Sequence, residues 1–544
     1  MEVSNKFNCL RTGKLLGDIC KAEHKDRIKK PIAKINGRHM EVEWEQAFEI
    51  IKNRMSDIDP GSTAGFISAS STVEEQYLFQ KWLREKNIFN IDHRVSQSSF
   101  VYDEEDIFPE INIPIKDIEK CKSILLIDSN ITYEQPILSH KIRKAFLKEA
   151  TVNSIHTYNY KNNFDLKNSL LINPNYLAET LIDVIEYLSI VTVNDKTLKK
   201  FKIPETIKKN FKGLTNNNII EISNDLLLND SIIFLGSNLR NHADFQLLKI
   251  LMNIISIYTK SNTCYLGEAS NEAGAWLTGC LPHKDTGNIP ARHHGFNIKD
   301  AINKKLDAYI IYNLDLIDFY HYSELKKSLE SANFVLGFQS FVTDEEKNLY
   351  DVILPLATTF ESPGTFINIE KEWQSFTQGC LPHFDSKEGW KILTKLRLEN
   401  GANLSNSLDY IDILNEVDHV IRNIKSSESK KIENFNLKEI KSNNYLTRTG
   451  GNYCYFIDNI TRRSVSLNTV NKNKNLVCVN KKTLEQNNID VEKKKVILKQ
   501  GNKSLLVKLS VDENVSDDCI YISNSNKEHF ELGKQYQPIT IENV

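Results

Sequence analysis

The sequence predicts an α/β protein of parallel sheets followed by a small C-terminal β domain. Short, continuously apolar runs recur with a helical pattern behind each: Ser123–Ile127 before Pro136–Lys148, and Ser231–Leu235 before a helix that begins after Ala243. Strands apolar on both sides belong to parallel sheets covered on both faces. From Tyr445 onward the pattern changes. Runs at Leu476–Val479, Lys495–Leu498 and Leu505–Leu509 follow one another between Asn, Gly and Asp turns without intervening helices. The length, 544 residues, exceeds what one hydrophobic core organises, so several domains are expected.

In chain order, Trp44–Met55 has the apolar spacing of a helix, Gly65–Ile67 is a short apolar run with small residues, and Glu74–Lys86 is a clear amphipathic helix. Asp307–Tyr312 and Asn333–Leu336 read as strands, with Glu324–Leu329 helical between them. Residues 404–445 pass from helical to loop-like and are rich in Lys, Asn and Ser, which places a linker at 426–443.

Charge is balanced, with 69 basic and 71 acidic residues and a net charge of −2, so no bulk attraction to nucleic acid or an anionic membrane is expected. Nine cysteines are scattered without a Cys-x-x-Cys pair, which suits isolated thiols in a reducing compartment. The start lacks the basic-then-apolar pattern of a secretory signal. The longest apolar stretch, Leu247–Ile257, is too short to span a bilayer and suits a core helix. A cytoplasmic protein is expected, with membrane contact only through a partner.

Motifs for phosphate loops, zinc proteases and nucleophile elbows are missing. His293 and His294 are adjacent, so on an extended segment they point to opposite sides and make a poor joint ligand set. Cys9 and Cys20 have a gap that fits no cluster spacing. The run Asp103–Asp106 reads as a solvated loop.

Longer patterns are more informative. Asp26–Pro31 (DRIKKP), Asn36-Gly37 and Val42–Phe48 resemble the entry to the catalytic domain of the molybdopterin oxidoreductase superfamily. Asp351–Pro355, Glu361, Gly364-Thr365-Phe366, Asn368 and Glu370 resemble a late segment of the same superfamily. Asp458–Ser464, Leu467 and Val479-Asn480 resemble its C-terminal dinucleotide-binding barrel. Within the superfamily, Asn90–Arg94 with Gln97, and Glu268–Ala275 with Gly279 and Leu281–His283, are similar to the large G subunit of bacterial NADH–quinone oxidoreductase, respiratory complex I.

The resemblance implies a degenerate N-terminal remnant at 1–40, molybdopterin-oxidoreductase-like α/β domains at 41–425, the linker, and a dinucleotide-binding-like β-barrel domain at 444–544. It implies cleft positions at Ser96, Glu361, Gly364, Asn368, Glu370 and Arg463, which are expected to be vestigial. Gly364 is expected in a tight turn against a neighbouring backbone. Glu361 is expected to tolerate Gln, because the amide keeps shape and hydrogen bonding. Asn368, Glu370 and Gln374 are expected to satisfy buried backbone groups.

Two departures from the family pattern shape the functional expectation. The iron–sulfur region that usually opens this large complex I chain has no counterpart here, so those clusters are expected on a missing part or a partner. The family's N-x-E-G-R-x-Q reads Asn368 to Gln374 with Lys371 for Gly and Glu372 for Arg, and Glu repels the phosphate that Arg would fork onto. The expectation is a structural subunit without catalytic residue, metal or cofactor of its own. It would be peripheral to the cytoplasmic face of the inner membrane and bound to other peripheral-arm subunits, especially a ferredoxin-like iron–sulfur chain. Two alternatives stay open: a molybdopterin-dependent oxidoreductase of the formate dehydrogenase type, and a decaying gene fragment.

Overall fold

The computed structural model describes residues 24–103, 108–193, 216–267, 269–402, 409–423, 445–451, 456–464, 476–490 and 495–544. Cys9, Cys20, Glu268, Leu467, the linker at 426–443 and most of the acidic run at 103–106 lie outside the described residues.

The chain opens with an antiparallel hairpin, β1 (Ile32–Ile35) and β2 (Arg38–Glu41). Helix α1 (Trp44–Ser56), β3 (Thr63–Ile67), α2 (Val73–Glu85) and β4 (Asn90–Asp92) follow. Next come β5 (Ser123–Ile127), α3 (Pro136–Phe146), β6 (Thr151–His156), β7 (Asn168–Leu171), α4 (Leu177–Val191) and α5 (Asn217–Leu226). Strand β8 (Ser231–Leu235), α6 (Phe245–Thr259) and β9 (Asn262–Tyr265) precede a small ribbon, β10 (Lys284–Asp285) and β11 (Ile289–Pro290). Then come β12 (Ala308–Tyr312), β13 (Phe334–Gln339), β14 (Val352–Pro355) and a hairpin, β15 (Gly364–Ile367) and β16 (Trp373–Phe376). The C-terminal strands are β17 (Thr447–Thr449), β18 (Leu476–Val479), β19 (Lys495–Gln500), β20 (Lys503–Val511), β21 (Cys519–Ile522) and β22 (Thr540–Asn543).

These elements form two compact units, each discontinuous in sequence. Unit 1 comprises Met1–Gln97, Ala269–Ser427 and Ile457–Asn471; unit 2 comprises Ser98–Glu268, Glu428–Phe456 and Lys472–Val544. Unit 1 holds a seven-stranded sheet in the order β2-β1-β14-β13-β12-β3-β4. Its five strands from β14 to β4 are parallel, and the β1–β2 hairpin is added antiparallel at one edge. Unit 2 holds a fully parallel sheet, β7-β6-β5-β8-β9, and a mixed six-stranded sheet, β17-β21-β18-β20-β19-β22. The mixed sheet curls so that Thr447 bridges Pro538, giving a half-barrel. The fold is thus the α/β arrangement with a C-terminal barrel that the apolar runs predict.

Local chemistry explains where elements start. Thr72 and Glu75 form a reciprocal capping box at the start of α2. Strands β5 and β8 are buried throughout and end where the sequence pattern ends. The core of unit 2 packs Leu125, Ile127, Ile233 and Leu235 against apolar faces of α4 and α6. Elsewhere the pattern misleads. Strand β6 is not expected from the sequence, because Asn153 and Ser154 break the apolar run; Asn153 is nonetheless buried and donates to Asp225 at 2.9 Å. The β1–β2 hairpin is turned by Asn36 (φ 49°) and Gly37 (φ 77°), a two-residue signal legible as a turn.

Candidate functional site: the two switch-point crevices

In an open parallel sheet, ligands bind outside the C-terminal ends of strands where the winding direction reverses. Unit 1 winds one way from β12 to β13 and β14, and β3 and β4 lie on the other side, so its reversal lies between β12 and β3. Unit 2 reverses between β5 and β8.

In unit 1, β12 runs into Asn313, held left-handed at φ 53°, and then Asp315. Over this end lies the segment Asp458–Ser464. Asn459 donates to Asn313 at 2.8 Å. Arg463 donates to Asp315 at 2.7 Å and to Asp26 at 3.2 Å. Arg462 donates to Asp315 at 2.6 Å and also to Asp318. Burial alone would raise the Asp315 carboxyl, but the two guanidiniums overcome it and hold Asp315 below its ordinary value. Asp318 shares the site and goes the other way: burial, with ionised Asp315 adding to it, pushes it up to about 6 against the pull of Arg462. The Phe341 ring lies between Arg463, 5.1 Å from its centroid, and Arg27, at 5.4 Å.

Arg27 in turn donates to Glu361 at 2.6 Å, both side chains being buried. Glu361 also accepts from the Thr358 amide at 2.7 Å and the His383 ring at 2.9 Å. Thus two residues implied by the resemblance, Glu361 and Arg463, do meet at one place, through the neighbours Asp26 and Arg27. Glu361 is a fully engaged ion-pair partner, so an amide in its place would keep the shape but leave Arg27 without its countercharge.

Gly364 is not in a turn. It opens β15, and an added Cβ would lie 2.3 Å from the Thr72 side chain, not against a backbone. Asn368 caps the β15–β16 turn by accepting from the amides of Glu370 and Glu372 at 2.9 and 3.0 Å. Those amides are part-exposed, so the expected service to buried backbone is corrected for Asn368. Ser96 is a buried loop residue after a structural clamp: Asp92 takes Arg94 at 2.9 Å through both oxygens, and the His93 ring donates to the Cys280 carbonyl at 2.9 Å. Asn271, from the Glu268–Ala275 motif, joins the loop before α2 to strand β15 by donating to the Ser71 carbonyl at 2.7 Å and accepting from the Ile367 amide at 2.8 Å.

In unit 2 the equivalent position holds Asp128, left-handed at φ 42° after β5. It accepts from the Thr157 amide and hydroxyl at 2.9 Å each and from the Tyr536 hydroxyl at 3.0 Å. Beside it, the Glu134 carboxylate collects the donors of both loops: the Asn130 amide at 3.0 Å, the Ser237 amide at 3.3 Å, the Asn238 side chain at 3.0 Å and the Ser129 hydroxyl at 3.4 Å. Burial pushes Glu134 up to about 7, although the amides favour its ionised form. Gly236 is packed so tightly that a Cβ would sit 2.0 Å from the Asp128 carbonyl oxygen. No sequence pattern singles out Asp128 or Glu134. Asp128 is marked only by its place after β5, and Glu134 only by the donors that converge on it.

A pterin dinucleotide carries a diphosphate, and this chain offers it poor terms. In unit 2 the converging amides already hold a carboxylate. In unit 1 the arginines are matched to Asp26, Asp315, Asp318 and Glu361, and an incoming phosphate would face those carboxylates. The residues present do not fit the group. Among the described residues no three His, Cys, Asp or Glu side chains are grouped to hold a metal, and no helix is long and apolar enough to cross a membrane. His293 and His294 are exposed.

Comparison with known proteins gives the frame. The profile described as Molybdopterin oxidoreductase matches residues 27–397. The alpha chain of an F420-dependent formate dehydrogenase of Methanocaldococcus jannaschii is 25% identical over 79% of this chain and 71% of its own length. The second G-type chain of the NADH-quinone oxidoreductase of Rhizobium meliloti is 24% identical over 68% of this chain and 47% of its own length. The 75 kDa chain of the NADH-ubiquinone oxidoreductase of Reclinomonas americana is 23% identical over 68% and 49%. The chain thus spans about half the length of these two NADH-oxidoreductase relatives. Among solved structures, the acetylene hydratase of Pelobacter acetylenicus superposes with a TM-score of 0.68 at 11% identity, covering 96% of this chain and 88% of that one. With the profile matching well over half of its length, the chain belongs to the molybdopterin oxidoreductase family.

Proposed function

We propose that this chain is a structural subunit of an NADH–quinone oxidoreductase assembly and carries no pterin, metal or iron–sulfur centre of its own. One observation carries the reading: the chain's own charged side chains fill the strand ends, Glu134 at the reversal of unit 2 and Arg462 with Arg463 at the ends of β12 and β13 in unit 1. The N-x-D-H-R segment supports it, because Asp92 and Arg94 hold each other and His93 holds the Cys280 carbonyl instead of presenting a ligand. The relatives named for NADH oxidation support it as well. In this role the chain holds a ferredoxin-like iron–sulfur partner and other peripheral subunits at the cytoplasmic face of the inner membrane.

The formate dehydrogenase relatives match at similar identity and over a longer stretch, which motivates the competing reading of a pterin enzyme. Affinity purification of the full chain from its own cells, followed by metal analysis and pterin extraction, separates the two. The expected result is a multisubunit complex with NADH–quinone activity and no molybdenum or tungsten. Stoichiometric molybdenum or tungsten with formate-dependent dye reduction would establish the competing reading. A chain recovered alone, without metal or partner, would overturn both and leave the decaying copy.

A further inference from the structure

The segment Asp458–Ser464 reaches the β12 end of unit 1 from far along the chain; Arg462 lies 147 residues beyond Asp315. Both sides of this contact are shaped independently of each other. On the receiving side, Asp315 and Asp318 cap their own turn, the Asp315 amide donating to Asp318 at 2.8 Å, so the two carboxylates are placed by local backbone. On the arriving side, Asp458 caps the turn Thr461–Arg463 by accepting from the Ile460 and Thr461 amides at 3.0 and 2.7 Å. Each side of the contact thus carries its own turn-capping hydrogen bonds.

The pocket's chemistry selects one kind of occupant. Three carboxylates converge from two loops, and Phe341 supplies an apolar face. Arg463 uses its planar fork on Asp26 and Asp315 while its guanidinium lies over the ring. A guanidinium suits this combination of divergent donors and stacking. An ammonium is a compact, strongly hydrated point charge without the planar fork that spans two carboxylates while lying flat on a ring. A phosphate is repelled.

We infer that the crevice at the ends of β12 and β13 is a guanidinium-recognition site, and that the strap Asp458–Ser464 is its ligand in cis. It acts as a latch that keeps the crevice closed. The inference does not depend on the proposed role in an NADH–quinone assembly, since it rests only on the contacts that Arg462 and Arg463 make within unit 1.

The test uses the full chain and two readouts: thermal midpoint and hydrogen exchange of a peptide covering the strap. Arg463→Ala is expected to lower the midpoint and raise strap exchange by about tenfold or more, the effect of losing charge-assisted hydrogen bonds. Methylguanidinium chloride, at concentrations well below denaturing, is expected to recover part of the lost midpoint, while methylammonium chloride does not. The unaltered chain should respond to neither. Arg463→Lys, which keeps the charge without the fork, should show intermediate exchange and serves if the Ala variant does not fold. Equal responses to the two cations, or wild-type protection in Arg463→Lys, would overturn recognition of a guanidinium and leave only a charge contact.

Discussion

In unit 1 the strand beside the reversal ends at a left-handed Asn313; in unit 2 it ends at a left-handed Asp128. Both positions put a side chain where a bare backbone would leave room for a ligand. From there the two diverge. Unit 1 closes its crevice with ions of both signs, drawn from remote parts of the chain. Unit 2 closes its crevice with a carboxylate held by neutral donors from two loops. One crevice thus carries its charge compensation in opposite charges, the other in oriented amides. Buried charge has to be met in one of these ways, and the choice decides how each unit responds to mutation and to pH.

The largest difference should appear when one partner is removed. In unit 1, Arg27→Met leaves Glu361 buried without its countercharge and is expected to destabilise by about 3–5 kcal/mol. Glu361→Gln, which strands Arg27 instead, should fall near the lower end of that range. Denaturant melts of both variants check this. A loss below about 1 kcal/mol for Arg27→Met would place the pair with weak surface contacts.

A pH series sharpens the comparison. Glu134 of unit 2 is raised to about 7, chiefly by burial. The folded chain then binds that proton more tightly than the unfolded one. Its contribution is fully present below about pH 4.5, is lost as pH rises through 7, and amounts to about 3 kcal/mol. Glu74 of unit 1, which accepts from Thr365 at 2.8 Å, is raised to about 7 by burial and adds a second such step. Asp315 has the opposite sign: its lowered value stabilises unit 1 above its ordinary 3.8, and that stabilisation is lost as pH falls further. Strap exchange should therefore rise in acid while the overall midpoint declines between about pH 4.5 and 7. Strap exchange that rises instead towards pH 8 would contradict the assignment of Asp315.

Close packing gives the next effect. Gly236→Ala in unit 2 would drive a methyl into the Asp128 carbonyl, and Gly364→Val in unit 1 would press on Thr72, the N-cap of α2. Each should cost about 2–3 kcal/mol. The unit 2 variant should be the worse per added atom, because its obstacle is backbone, whereas Thr72 can turn. Reversing that order in thermal melts would mean that the β5 and β8 loops separate more easily than their contact suggests.

The contrast between the units also explains what the sequence could and could not disclose. Strands β5 and β8 were legible to the residue, since five apolar or small residues in a row have one economical use. Strand β6 was not, because its buried Asn153 is satisfied by Asp225, 72 residues away. Glu361 and Arg463 were legible as positions through family resemblance, but their role depended on Asp26, Arg27 and Asp315, which pattern alone does not connect. Asp128 and Glu134 were invisible: single carboxylates among 71 acidic residues carry no spacing, and only the strand order puts them at a reversal point.

The smallest expected effect concerns the β15–β16 turn, where the family pattern has Gly and this chain has Lys371. Its φ is 62°, left-handed for a residue with a Cβ, and its amide donates to the Asn368 carbonyl at 2.9 Å. Holding a non-Gly residue there costs about 1–2 kcal/mol. Lys371→Gly removes that strain but gives the unfolded chain more freedom, worth about 0.5–1 kcal/mol in the other direction. The net expectation is a gain of about 0.5 kcal/mol. Lys371→Ala keeps the Cβ and the strain while removing the exposed ammonium, so it should match the parent within a few tenths. The gap between the Gly and Ala variants in denaturant melts isolates the backbone term. Should Gly prove less stable than Ala, the turn does not hold its left-handed residue in solution, and the match between this hairpin and the family's Gly-bearing segment is one of sequence only.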